Sequence, residues 1–282
     1  MIAFIGTGLL GANFTRALLR KGEKVRVWNR TASKARALEP DGAIAFEKVS
    51  EAVRGVSRIH ITLSDDAAVD QVLAAAEPAL ETGAYILDHT TTSMQGAIDR
   101  TKIWAEKGIN YIHVPVFMGP ANALDSTGYM LISGDEQLIQ QVLPFLSTMT
   151  GKVLHFGPEV GRAAAIKLMG NSFLVTLTAG LSDMLGVGKS MGVPNEDILK
   201  LLENWNVGAS APARLERIMS GNYDNPSWEL QMSRKDTRLM LEAAEKAGRH
   251  LAILPACAAE MDRWLDKGYA HKDWTIIGSD HR

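Results

Sequence analysis

Cysteine is almost absent. Cys257 stands alone among 282 residues, so no intrachain disulfide can form. The seven histidines show no H-x-x-x-H or related spacing, and no metal site is expected. Such usage fits a reducing compartment, with Cys257 as an inert buried thiol. A strong charge of one sign is missing too. The formal net charge is -2 and the pI about 6.4, which offers no broad attraction to nucleic acid or to an anionic membrane. Any affinity for a phosphate must be local. Long hydrophobic runs are also lacking. The start at Met1–Ile5 has neither a basic segment before it nor a small-residue cleavage site after it, which speaks against a signal peptide. The best candidate span, Phe173 to Val187, is broken by Gly180, Ser182, Asp183 and Gly186, so no membrane segment is expected. These absences point to a cytoplasmic protein that partners neither nucleic acid nor membrane. With 46% hydrophobic and 22% charged residues the chain has material for a core, which argues against disorder.

What is present is an alternation. Ile2–Ile5, Lys24–Trp28, Arg58–Leu63, Tyr85–Leu87, Tyr111–Val116 and Tyr129–Ile132 are short, apolar and rich in branched residues, the pattern of strands. Between them Phe14–Arg20, Ala67–Ala76 and Gln95–Lys107 have helical period. Strand and helix in alternation predict an α/β domain whose parallel sheet is covered on both faces. Strand signals end near Gly161. A long apolar helix is expected over Arg162–Ser190, stopped by Met191-Gly192-Val193-Pro194. Asn195 then reads as an N-cap, and further helices follow at Ala211–Met219, Met232–Ala247 and Leu254–Lys267. Two domains are therefore expected, residues 1–160 as α/β and 161–282 as all-α around a long central helix. No Pro/Ser-rich linker separates them. A central helix apolar on more than one face needs cover on several sides, and a homodimer or homotetramer would supply it.

Gly6-Thr7-Gly8-Leu9-Leu10-Gly11 is a G-x-G-x-x-G that follows an apolar strand and opens a helical segment leading to a second strand. In that context the motif has a mechanism. Gly6 allows the tight turn, Gly8 lets backbone approach a pyrophosphate on the helix N-terminus, and Gly11 lets helix pack on strand. The α/β domain is thus expected to be a Rossmann-type doubly wound sheet that binds a dinucleotide. The end of the second strand refines this. NAD-binding sites usually carry Asp or Glu there, whereas this chain reads Trp28-Asn29-Arg30-Thr31 with Lys34 one turn later, and no acid before Glu39. Arg30 can take a 2′-phosphate in its planar fork and Thr31 can donate to it, so NADP is favoured, as NADPH over NADH. A solvated basic loop is the plainer alternative.

Further motifs carry a resemblance. Leu63-Ser64-Asp65 follows the third recognised strand, Asp88-His89-Thr90-Thr91-Thr92-Ser93 is similar to a D-x-S-T-x-S segment, Lys167-Leu168-Met169-Gly170-Asn171 fits K-x-x-x-N, and Lys235-Asp236 forms a K-D pair. In this order and spacing, over nearly the whole chain, they resemble the β-hydroxyacid dehydrogenase family. That family includes 3-hydroxyisobutyrate dehydrogenases, semialdehyde reductases and, more distantly, imine reductases. The resemblance implies an NADP-dependent oxidoreductase acting on a small carbonyl or hydroxy-acid substrate. It also implies cofactor contacts from Leu63, Ser64, Thr91 and Lys235, and substrate contacts from Ser93. One stretch departs from the pattern. The family's S-G-G triplet, which takes the substrate carboxylate, is replaced within Val116-Phe117-Met118-Gly119-Pro120, where only the last glycine remains. Phe117 removes a hydroxyl donor and Met118 adds bulk, which opens the way to a larger or less polar carbonyl compound, or to an imine.

Lys167 and Asn171 are four residues apart, so they share a helix face. A lysine among Ala163, Ala164, Ala165, Ile166, Leu168 and Met169 is costly to bury without a task or a partner. Burial would lower its pKa toward the range useful for proton transfer. Lys167 is thus the candidate general acid/base, with Asn171 orienting it or holding substrate; snorkelling to the surface is the alternative. Lys235 sits in a charged stretch that a solvated helix face would also explain. Thr91 and Ser93 could equally be turn residues. His89 and His113 lie near the proposed loops without a clear role, and Leu10 and Phe14 fit either core or cofactor shelf. Two rivals stand beside the carbonyl oxidoreductase: an imine-reductase-like enzyme acting on C=N bonds, and a non-catalytic NADP(H)-binding sensor. Retention of Lys167 favours carbonyl chemistry.

Overall fold

A computed structural model describes residues Met1–His281. Contacts divide the chain into two compact units, Met1–Asn171 and the chain from Ser172 onward.

The first unit opens β1 (Ile2–Ile5), α1 (Leu9–Arg20), β2 (Val25–Trp28), α2 (Ala32–Arg36), β3 (Ile44–Phe46), α3 (Val49–Val53), β4 (Arg58–Ile61), α4 (Asp66–Ala76), β5 (Tyr85–Asp88), α5 (Met94–Glu106) and β6 (Asn110–His113). These six strands form one parallel sheet in the order β3-β2-β1-β4-β5-β6. The order reverses at β1, which places a crevice at the carboxyl ends of β1 and β4. Strand alternation sorts the core into two faces. Ile2, Phe4, Val25, Val27, Leu87 and Ile112 point to one, and Ala3, Ile5, Ile59, Ile61, Ile86 and Tyr111 to the other. Because helices cover both faces, the strands carry apolar residues at odd and even positions alike, which is why they read as short continuous runs.

A second, three-stranded sheet follows, built from β7 (Val116–Phe117), α6 (Pro120–Asp125), β8 (Tyr129–Ile132), α7 (Glu136–Leu146) and β9 (Lys152–His155). The sequence run Tyr111–Val116 is therefore not one strand: β6 ends at His113, and Val116 starts a strand antiparallel to β8. Strands β3 and β7 are three and two residues long, too short for periodicity to reveal. Strand β9 has exposed polar ends and only half-buried Val153 and Leu154 between them, so it lacks the apolar run of the others.

Helix α8 spans Arg162–Ser190, and its opening turns belong to the first unit. Ala163 and Ala164 are fully buried there, and the Ala163 N–H donates to Ser133 Oγ at 3.0 Å. This is why the first compact unit runs past residue 160. By length and composition α8 could cross a bilayer, since an 18-residue stretch has mean hydropathy 1.3. The expectation that no segment is long enough is corrected on that count: its interruptions are mostly small residues that leave the mean apolar. Asp183, its buried carboxylate, is committed within the second unit.

That unit continues with α9 (Asn195–Asn204), α10 (Ala211–Ser220), α11 (Leu230–Lys246) and α12 (Leu254–Asp266). Asn195 is the first helical residue rather than the cap; Pro194 takes the cap position with extended backbone. A small core gathers Tyr223, Leu230, Met261, Trp264 and Ile276. Two buried aspartates organise the rest. Asp183 accepts from the N–H groups of Ala252, Ile253 and Leu254 at 2.7–2.8 Å, which closes the N-terminus of α12. Asp273 accepts from the backbone and hydroxyls of Ser227 and Thr275 and pairs with Arg217. Cys257 is half-buried, and burial pushes its thiol upward, away from reactivity.

Candidate active site

The glycine loop between β1 and α1 is dictated by contact. Gly6 has φ +91°, and a Cβ there would lie 2.0 Å from the Thr62 carbonyl oxygen. At Gly11 a Cβ would lie 1.9 Å from the Gly6 carbonyl oxygen, so α1 could not pack on its strand. Gly8 differs: a Cβ there would meet nothing within 4 Å and would project into open space. Only Gly8 keeps room for a ligand at the N-terminus of α1, where amide groups are free to bind an anion.

That space is a groove of about 510 Å³. Gly6, Gly8, Leu9 and Leu10 form one wall, Asn29, Arg30, Thr31 and Lys34 the second, and Leu63, Ser64 and Gln71 the third. Leu10 also packs on the core, whereas Phe14 is wholly internal and belongs to no cofactor shelf. Asn29 is already engaged. Its Oδ1 accepts from the Thr7 N–H at 3.0 Å and its Nδ2 donates to the Thr31 carbonyl at 3.0 Å, which locks the glycine loop to the end of β2. Arg30 and Lys34 are exposed at the rim and form no ion pair among the described residues. The buried hydroxyls of Thr7 and Thr62 likewise have no partner among them. An open cradle over Gly8, cations at the rim and the unpartnered Thr62 hydroxyl in the lining fit a dinucleotide.

Lys34 and Gln71 were not singled out as ligands from sequence. The signal for Lys34 was its place one turn after Arg30; Gln71 comes to the groove only through the packing of α4.

The loops after β4 and β5 are tied together. The Leu63 N–H donates to Thr90 Oγ1 at 3.0 Å, the Thr90 N–H to Asp88 Oδ1 at 2.9 Å, and the Ser93 N–H to Asp66 Oδ2 at 2.9 Å. Beneath them buried Arg100 pairs with Asp66 and Asp70 and donates to the Tyr111 hydroxyl, which donates to Asp88 Oδ2 at 2.6 Å. Thr91 lies exposed on this clamped loop. Ser93 is the N-cap of α5, its hydroxyl accepting from the Gly96 N–H at 3.0 Å.

A second cluster is formed by β7 and α8. Lys167 is 8% exposed, and its Nζ donates to Asn171 Oδ1 at 3.0 Å. The same Nζ lies 4.1 Å from the centroid of the Phe117 ring. Burial pushes the Lys167 pKa below its ordinary value. The lysine therefore does not snorkel. Met118 turns onto the core, and the Gly119 N–H donates to Asn122 Oδ1 at 2.9 Å, at the start of α6. Lys235 lies in the second unit on α11, where its ammonium pairs with Asp236 at 2.8 Å.

His89 and His113 are buried. His89 Nε2 lies 3.0 Å from His60 Nδ1, and its Nδ1 lies 2.9 Å from the Val114 carbonyl. Burial drives His89 down to about 4, so both rings are part of the core.

Comparison with known proteins agrees with this geometry. Residues 1–157 match the family described as the NAD binding domain of 6-phosphogluconate dehydrogenase. Residues 161–278 match the family described as NAD-binding of NADP-dependent 3-hydroxyisobutyrate dehydrogenase. The chain is 26% identical over 281 residues to 2-(hydroxymethyl)glutarate dehydrogenase of Eubacterium barkeri, covering 98% of this chain and 93% of that protein. It is 24% identical to glyoxylate/succinic semialdehyde reductase 1 of Arabidopsis thaliana, covering 98% and 96%. Among solved structures, the imine reductase of Myxococcus stipitatus in complex with NADP+ shares the fold with TM-score 0.91 at 22% identity, covering all of both chains. The chain belongs to the β-hydroxyacid dehydrogenase family, of the 3-hydroxyisobutyrate dehydrogenase type, and is a nicotinamide-dependent oxidoreductase.

Proposed function

We propose that the protein interconverts a small alcohol of the β-hydroxy-acid type and its aldehyde or ketone with NADP(H), Lys167 serving as general acid/base. The observation that carries this reading is a buried lysine hydrogen-bonded to Asn171, its pKa lowered by burial. Bound nicotinamide supplies or accepts the hydride. In reduction the Lys167 ammonium donates a proton to the substrate oxygen; in oxidation the neutral amine accepts it. Asn171 holds Nζ in one place, so the proton is delivered along one direction. A Lys167→Ala variant should lose about 10²- to 10⁴-fold in kcat with a competent substrate while its dissociation constant for NADPH stays near that of the parent. Near-normal turnover would refute the assignment.

The preference for NADPH rests on Arg30, Thr31 and Lys34 at the groove rim, where no carboxylate stands to repel a 2′-phosphate. Leu63, Ser64, Thr91 and Lys235 are proposed as further cofactor contacts, and Ser93, Phe117, Met118 and Gly119 as substrate contacts. Reduction of C=N bonds is the second reading. Phe117 favours it, as an apolar ring stands where the family places a hydroxyl donor. Oxidation of NADPH against a panel of semialdehydes, keto acids, neutral ketones and cyclic imines separates the two. Binding without turnover across the panel would favour a sensor.

We also propose a homodimer or larger homo-oligomer. Phe173, Leu174, Val175, Leu177, Leu181 and Leu185 on α8 are all exposed, and α9 and α10 bury no residue. So large an apolar surface calls for a partner, and a second copy of the chain is the simplest one.

A further inference from the structure

The Phe117 ring is seated against two parts of the K-x-x-x-N segment. Its face meets the Lys167 ammonium at 4.1 Å, and its far edge presses on Gly170. A Cβ at position 170 would lie 2.3 Å from ring Cζ and 2.9 Å from Cε1, so any larger residue would drive the ring from its seat. Among the described residues the ammonium has two holders, the ring face and the Asn171 side-chain oxygen at 3.0 Å. Neither is charged, and among the described residues no acidic side chain pairs with Lys167, so no ion pair opposes the lowering of its pKa by burial. β7 brings Phe117 with no titratable neighbour on it, and α8 brings neutral Asn171.

An aromatic face carries negative quadrupolar charge and attracts a cation more strongly as water is excluded. A leucine of similar bulk would fill the same space without that attraction. We propose that Phe117 is a positioning residue for Lys167: its ring face fixes the place of the ammonium and favours the protonated form, and glycine at 170 is what admits the ring. The proposal rests on the reading of Lys167 as the proton-transfer group. Its chemical consequence follows from opposing effects. Burial draws the proton off the lysine and the ring holds it on, so the proton-donating form needed for reduction persists further into the neutral range than burial alone would allow.

The test reads the lysine directly. Competitive acylation of Lys167, followed across pH by peptide mass spectrometry, gives the pKa of its ammonium in the purified full-length protein, with and without NADP+. Phe117→Leu should lower that pKa by about 0.5 to 1 unit. Gly170→Ala, which leaves Phe117 in the sequence but unseats its ring, should move it the same way. Phe117→Tyr, which keeps an aromatic face, should leave it near the parent value. In turnover, the alkaline fall of kcat for reduction should shift by the same amount in the Leu variant, with KM for NADPH unchanged. An unchanged or raised pKa in Phe117→Leu would overturn the proposal, because the ring would then act as packing or as a shield from water. The two readings fail separately. Full turnover by Lys167→Ala would remove the lysine's role in catalysis, while the acylation measurement would still decide what the ring does to it.

Discussion

Arg30 stands at the rim of the groove without an acidic partner among the described residues, and Thr31 beside it has a hydroxyl that does not cap α2. A planar guanidinium in that position suits a phosphate and gives a ribose hydroxyl little. Arg30→Ala should weaken NADPH binding by about 10- to 100-fold, the size of a charge-assisted contact, and leave NADH binding nearly unchanged. Isothermal titration with both cofactors checks this; equal losses for the two would remove the phosphate assignment. Asn29, its neighbour, works differently, because each end of its amide also holds the loop. Adjacent residues in one short stretch thus differ in kind: Arg30 faces the groove without an ion pair among the described residues, while Asn29 braces the loop and lines the same groove.

At the scale of the element, α12 begins where the Asp183 carboxylate gathers three consecutive N–H groups. A helix start leaves such donors unsatisfied, and here a side chain from another helix satisfies them. Burial by itself would raise the Asp183 pKa, but the three donors outweigh it and hold the carboxyl below its ordinary 3.8. Asp183→Ala should cost about 2–4 kcal/mol, measured by chemical denaturation, through loss of charge-assisted bonds and exposure of unpaired amides. A change within 0.5 kcal/mol, the range of an ordinary surface substitution, would show that water caps the helix as well as the carboxylate does. In the sequence Asp183 is visible only as an interruption in an apolar run. The reasoning that marked Lys167, that a charge inside an apolar helix needs a partner, applies equally to it; the partner is an amide cluster some seventy residues away, with no side-chain signature to look for.

Across the molecule the buried histidines make stability sensitive to acid. Phe4, Phe14, His60 and His89 form a continuous aromatic cluster under the sheet, and both imidazoles are buried. Burial lowers His89 to about 4, while an unfolded chain binds that proton near 6.5. Its contribution is complete above pH 6.5 and declines as pH falls toward 4, because the unfolded state then binds protons that the native state refuses. Between pH 7.5 and 5 the loss should be about 2 kcal/mol from His89 alone. Urea denaturation at the two values checks the slope, and a His89→Gln variant should show a shallower one; equal slopes would mean that His89 is solvated. The exposed apolar face of α8 leads to the second prediction at this scale. Sedimentation velocity should find a dimer or larger species at micromolar concentration, and Leu177→Glu with Leu181→Glu should shift it toward monomer. A parent chain that sediments as a monomer would leave that face unexplained.

Sequence by itself determined the parts governed by local rules. Strand and helix alternation, the glycine loop, the long helix over Arg162–Ser190 and the i, i+4 pairing of Lys167 with Asn171 each follow from backbone sterics and periodicity within a short window. The strands β3 and β7 were hidden because two or three residues carry no period, and β9 because polar Lys152 and His155 bound its apolar pair; all three exist through their neighbours' hydrogen bonds. Tertiary structure alone decided that Asn29 braces the glycine loop, and that Arg100 and Tyr111 clamp the loops after β4 and β5. It alone seated the Phe117 ring on Lys167 and Gly170. Each of these is a contact between segments far apart in the chain, and its energy depends on burial and direction, which no window of sequence contains.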